Sequence, residues 1–298
     1  MKKIISLLLK LFLTLTILFY IINKINIKIL INSISNVNPK ILCIAFGLSI
    51  FSSFILSIRW NIFLKKYKKL KIIDLFKVYW ASDFVNLFGL ASVGGEAYKT
   101  VVFKNDKKKV LFSSLLSRIY SLFGFAIIAI SATISYFLFV SFIQRALLTI
   151  FLFSLITSLF IFFDLKLKSM IKKIVKNKRI TSIIEESKLD KKQLWSSSLL
   201  NILFVFNLSI VYALIFSAMG LPNLFFEIFM LVPIMSIAMA LPISIQGIGL
   251  REFIFLKFAE INNLISEKVI AVSIIIYLFF LVYSLFGSIF FLSLKRKE

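Results

Sequence analysis

The chain of 298 residues has no histidine and one cysteine, Cys43. The first absence removes the usual general base and the commonest metal ligand. The second excludes an intrachain disulfide and a cysteine-based zinc site. Any acid–base chemistry is left to carboxylates, lysine and tyrosine. Glycine (9) and proline (4) are scarce, so each Gly or Pro break in an apolar region is informative. Acids are outnumbered, 13 Asp and Glu against 36 Lys and Arg, for a net charge of +23. There is no phosphate-binding P-loop, no metal-ligand spacing and no nucleophile–base pair. An ATPase is excluded, and no cofactor or metal is expected.

Hydrophobic residues are abundant: 60% of the chain, with a mean hydropathy of +0.99. An ordinary soluble domain holds about 45–50% apolar residues. The fold class is therefore all-α, a polytopic membrane protein. Full spans are predicted at 4–22, 41–58, 110–137, 146–163, 194–217 and 268–293. Met1-Lys2-Lys3 before an apolar run resembles a signal sequence, but no small-residue cleavage site follows, so a retained first span is expected. The segment 23–40 reads as a polar connection. The long hydrophilic segment 164–193, with ten basic and four acidic residues, reads as one or two short amphipathic helices at the membrane surface.

Two regions fit neither span nor loop. Residues 74–98 carry Asp74, Lys77, Asp83 and Glu96, and residues 223–260 are broken by Pro242, Gly247 and Gly249. Charge placement decides how they run. With the N-terminus inside, and with 74–98 entering and leaving on the same side, 1–3, 59–72, 99–109, 164–193 and 294–298 are cytoplasmic. These hold 26 basic residues, against five in 23–40, 138–145, 218–222 and 261–268. Basic loops stay inside. Residues 74–98 are thus predicted to be re-entrant from the cytoplasm and 223–260 from the outside, with both termini cytoplasmic in an inner-membrane protein. The halves 1–140 and 145–298 would then form an inverted repeat within a single transmembrane domain. The run Tyr120-Ser121-Leu122-Phe123-Gly124 recurs as Tyr283-Ser284-Leu285-Phe286-Gly287 in the matching position. Because the basic clusters lie between spans, they point to anionic lipid headgroups and away from nucleic acid. Arg59, Lys65, Lys66, Lys68, Lys69 and Lys71 form one such basic loop in this reading.

Irregular backbone at membrane depth is tolerated only where protein or a cavity covers it, and ionisable residues there are functional candidates. In the first break, Gly94 and Gly95 allow close backbone approach, and Glu96 and Lys99 follow. Arg118 lies early in the next span. It could bind a lipid phosphate bidentately or pair structurally with Glu96. In the second break, Pro242, Ser244, Gln246, Gly247 and Gly249 precede Arg251 and Glu252. A half-helix starting near Gly249 would point its amides at an anion, or Arg251 and Glu252 would sit at the outer headgroups. Gln246 could bond a headgroup or join helices. Asp83 could line the inner mouth or serve structure alone.

These residues resemble the lysylphosphatidylglycerol synthase transmembrane family, the flippase-like family that includes the flippase domain of multiple peptide resistance factor. Arg59-Trp60 resembles the family's Arg-Trp after an early span. Gly94-Gly95-Glu96-Ala97-Tyr98-Lys99 resembles its Gly-Gly-acid-x-x-Arg motif. Arg118 matches an Arg early in the following span. Pro242, Ser244, Gly247, Gly249 and Glu252 match its Pro-x-Ser-x-x-Gly-x-Gly-x-x-Glu motif. Lys99 stands where Arg is usual, Ala91 where Pro is frequent, and Ser117 where an acid often precedes the Arg. The resemblance implies a lipid translocase whose headgroup groove these residues line. Its substrate would be an anionic or aminoacylated phospholipid or a polyprenyl-phosphate-linked sugar. No lysyl transfer is expected. Two other readings stay open: a scaffold for an envelope-biosynthesis enzyme, and an intramembrane transferase with Glu96 or Glu252 as base. Membrane lipids are the expected partners, with a second copy of the chain also open.

Overall fold

The computed structural model describes residues 2–65, 67, 69–88, 93–103, 107–139, 141–174, 190–240 and 246–295. Among them are eleven helices and no strand: α1 (Lys2–Lys24), α2 (Ile27–Ser35), α3 (Pro39–Leu64), α4 (Ile72–Phe88), α5 (Val93–Val102), α6 (Lys107–Leu138), α7 (Phe142–Ile174), α8 (Lys191–Ala218), α9 (Phe225–Ala240), α10 (Leu250–Ile261) and α11 (Ser266–Lys295). Five helices, α3, α6, α7, α8 and α11, are long and apolar enough to cross a membrane. A sixth span forms if Thr14–Lys24 and Ile27–Ser35, bent by 88°, count as one. The chain is a polytopic all-helical membrane protein.

The bend is written locally. Asn26 caps α2, its Oδ1 accepting from the amides of Lys28 and Ile29. Asn38 caps α3 ahead of Pro39, which needs no amide partner in the first turn. The predicted polar connection over 23–40 is therefore largely the helix α2. It packs on α11 and leaves Ile27, Ile29 and Ile31 exposed. Residues 164–174 continue α7 instead of forming separate surface helices, and 175–189 lie outside the described residues.

The two broken regions are short-armed hairpins. At ~1.5 Å per residue, α4 and α9 reach only ~24–26 Å, short of the ~30 Å hydrocarbon core. Phe103, just past the end of α5, packs with Leu75 and Val78 at the start of α4. In the second hairpin Phe258, near the end of α10, meets Phe216 in the last turn of α8, beside the start of α9. Each pair thus turns back toward the side it came from, at opposite ends of the bundle. Helix α3 packs on α8, α4 on α11, and α9 on α6. Exchanging α3 with α8, α4 with α9 and α6 with α11 maps these pairings onto one another.

Serine takes the place of the scarce glycine at close helix crossings. Ser57, Ser113, Ser131, Ser135, Ser209, Ser273 and Ser284 are fully buried. Ser57, Ser113, Ser135 and Ser209 donate to carbonyls one turn back in their own helix, so a small residue is buried without a lost hydrogen bond. Glycine itself stands at two such crossings. A Cβ on Gly124 would collide with the Asn201 side chain of α8, and one on Gly287 with the Trp80 carbonyl of α4. These residues end the repeated Tyr-Ser-Leu-Phe-Gly run.

Candidate functional site

The tips of the two hairpins touch. Gln246, in the turn before α10, donates through Nε2 to the carbonyls of Asn86 (2.9 Å) and Leu87 at the end of α4. These are among the four carbonyls that a helix leaves unpaired at its C-terminus. Gln246 reaches them from a left-handed backbone, φ 52°. Asn86 then turns to the other arm, where its Oδ1 accepts from the Gly95 amide at 2.7 Å. A Cβ on Gly95 would sit 2.5 Å from the Ser82 carbonyl oxygen and 2.6 Å from Asn86 Nδ2, so the close approach of α5 to α4 requires glycine here. On the opposite side Arg118 Nη2 donates to the carbonyl of Ala240, the last residue of α9, at 2.9 Å. A guanidinium at a helix C-terminus also complements its dipole.

Between the tips lies a cavity of about 400 Å³. Its polar lining includes Arg59, Asp83, Asn86, Glu96, Lys99, Arg118, Gln246 and Arg251, and its apolar walls include Phe125, Phe204, Leu208 and Phe280. The charges are unequally satisfied. Lys99 Nζ pairs with Glu96 Oε1 at 3.1 Å and lies over the rings of Tyr79 (4.2 Å) and Trp60 (5.0 Å). Arg251 pairs with Glu252 Oε1 at 2.5 Å and with the Ser273 hydroxyl, and sits 4.6 Å from the Tyr277 ring centroid. Arg59, only 7% exposed, donates from Nη1 to Asn201 Oδ1 at 2.6 Å, and its Nε has no partner. Among the described residues neither Arg59 nor Arg118 meets a carboxylate. A guanidinium with spare donors in an apolar chamber matches a phosphate or carboxylate in geometry and charge.

Of the residues singled out from the sequence, Glu96, Lys99, Arg118, Gln246, Gly247 and Arg251 line this one cavity. Arg251 and Glu252 are buried, which removes the expectation of an outer-headgroup pair. Glu252 stands behind Arg251, its Oε2 accepting from the Gly249 amide at 2.8 Å and fixing the start of α10. Gly249 takes φ 81° and Gly247 φ 79°, a region that favours glycine. Gly94 and Gly95 lie in the first turn of α5 and do not line the cavity. Pro242 and Ser244 lie outside the described residues. The partner of Glu96 is Lys99, not Arg118 as the structural alternative supposed.

The basic loop expected over 59–72 is corrected at its first member. Helix α3 runs on to Leu64, so Arg59 sits one turn inside the bundle and lines the cavity. Its Arg-Trp pair was the available signal, since Trp60 is buried beside it, its Nε1 donating to Ser113 Oγ at 3.3 Å. Asn201, Tyr79 and Tyr277 carried no signal in the sequence, and Tyr283 stood out only as part of the repeated run. Asp83 is buried and lines the cavity as well. No group of three or more metal-ligating side chains occurs among the described residues.

No curated protein and no solved structure matches the chain. A family model does, over nearly its whole length and across every element that builds the cavity. By that match over residues 7–287, the chain belongs to the family described as the lysylphosphatidylglycerol synthase TM region.

Proposed function

We propose that the chain is a flippase-type lipid translocase that receives an anionic headgroup in the cavity between the hairpin tips. The observation that carries this reading is the pair Arg59 and Arg118. Both face one cavity, and neither has a carboxylate partner among the described residues. Arg59 is buried; burying a cation without an ion-pair partner is costly, and a lipid phosphate supplies that partner. Lys99 and Arg251, already paired, set the polar surroundings, while the acyl tails stay in hydrocarbon. The substrate class is an anionic or aminoacylated phospholipid or a polyprenyl-phosphate-linked sugar, in an inner membrane with both termini cytoplasmic. The chain moves lipid and catalyses no bond change. The two halves act as an inverted repeat, which the exchangeable helix pairings support.

The test is mass spectrometry of lipids retained on the purified protein. The wild type is expected to hold anionic phosphate lipids above their share in the membrane, and Arg59→Gln/Arg118→Gln to lose that enrichment. Retained lipids that mirror the bulk membrane in both proteins contradict the reading.

A further inference from the structure

Asp83 is a charged cavity group that the proposed function leaves unused. It sits on α4, in the arm of the first hairpin, and is 8% exposed. Its Oδ2 has no hydrogen-bond partner although it is fully buried. Among the described residues it forms no ion pair, because the Lys99 ammonium is taken by Glu96. The groups that face it are Tyr79 and Asn86 from its own helix, Glu96 and Lys99 from α5, and Tyr283 from α11, with the Asn86 and Tyr283 side chains in hydrogen-bonding range of the carboxylate. Arg59 of α3 and Arg118 of α6 stand on the same cavity.

We infer that Asp83 is a proton-binding site whose occupancy is linked to headgroup binding, so that lipid and proton are carried together. This rests on the translocase reading. In the empty cavity the guanidiniums of Arg59 and Arg118 leave positive charge on the walls without a carboxylate partner. A phosphodiester that binds them cancels their charge and places a second anion beside Glu96. A carboxylate oxygen with no donor then has its cheapest partner in a proton. Water delivers that proton to Oδ2, where an O–H bond forms, and no bond of the lipid changes. One negative charge enters with the phosphate and one positive charge with the proton. The net charge of the loaded chamber therefore equals that of the empty one, which avoids exposing a new charge to the hydrocarbon interior. Linkage is reciprocal: the proton must tighten headgroup binding by the same factor as the headgroup tightens proton binding.

The experiment uses the full chain in detergent and glycerophosphoglycerol, a soluble phosphodiester that does not titrate near neutral pH. Calorimetry gives its affinity, and a pH dye gives the protons taken up per molecule bound. One proton per bound phosphodiester at saturation is expected for the wild type. Its affinity should fall by about tenfold per pH unit where Asp83 is ionised in the free protein, as one-proton linkage demands. Asp83→Asn should bind without proton uptake and without that pH dependence. If Asp83→Asn does not fold, the wild-type stoichiometry and pH slope still decide. Binding without proton uptake overturns this inference and leaves the translocase reading standing, as does uptake that persists in Asp83→Asn. Absence of phosphodiester binding together with absence of lipid movement in vesicles overturns both.

Discussion

Gln246 is the residue through which the second hairpin holds the first, and its replacement separates two effects of opposite sign. Gln246→Ala removes both donors to the Asn86 and Leu87 carbonyls. At ~1 kcal/mol net per hydrogen bond, that costs about 2 kcal/mol. It also keeps a side chain on a left-handed backbone, φ 52°, which is worth ~1 kcal/mol against any residue with a Cβ. Gln246→Gly loses the same donors but relieves the backbone, so it should cost about 1 kcal/mol. The expected order of stability is wild type, then Gln246→Gly, then Gln246→Ala. Denaturant titration of the purified proteins in one detergent, followed by tryptophan fluorescence, resolves steps of this size. Trp60 and Trp80 lie in or beside the first hairpin and report on it. If Gln246→Ala is as stable as the wild type, the tips are not held by this side chain. If Gln246→Gly is the less stable variant, the strain argument is wrong.

Gly95→Ala should destabilise the hairpin by about 1–3 kcal/mol through overpacking against the Ser82 carbonyl, read as a loss of thermal stability. Removing one partner of the buried Arg251–Glu252 pair should cost ~3–5 kcal/mol, and Arg251→Met/Glu252→Leu together much less than the sum of the single changes. A double-mutant cycle in denaturant measures this, and additive losses contradict the pairing. Arg118→Ala should weaken binding of a phosphodiester headgroup by about 1.5–3 kcal/mol, roughly 12- to 150-fold. Arg118→Lys should recover only part of that loss, because an ammonium cannot form the bidentate contact. Calorimetry checks both variants.

Much of the architecture was legible in the sequence because two signals agreed. Apolar runs marked the spans, and the basic bias showed that 74–98 and 223–260 must turn back. The hairpins follow that reading, with Gly95 and Gly249 at the starts of their returning arms. Less legible was anything fixed by packing between distant segments. Arg59 read as the first residue of a basic run, and only the continuation of α3 to Leu64 and its contact with Asn201, 142 positions away, draw it inward. The 88° bend between α1 and α2 rests on Asn26 and on the Glu267 carboxylate that accepts from its amide at 3.0 Å, a partner far along the chain. The aromatic faces under Lys99 and Arg251 are supplied by Tyr79 and Tyr277, ordinary residues in a chain with nine tyrosines. The carboxylate of Asp83 stood out only once its neighbours could be seen to leave Oδ2 without a hydrogen-bond partner.

The central claim is that Arg59 and Arg118 receive a lipid phosphate in transit. Reconstitution of the purified chain into vesicles carrying a fluorescent anionic phospholipid, with dithionite added outside, measures lipid movement between leaflets directly. The account predicts bleaching beyond the outer-leaflet half for the wild type and a rate at least tenfold slower for a correctly folded Arg59→Gln/Arg118→Gln protein. A double variant that moves the lipid at the wild-type rate would contradict it.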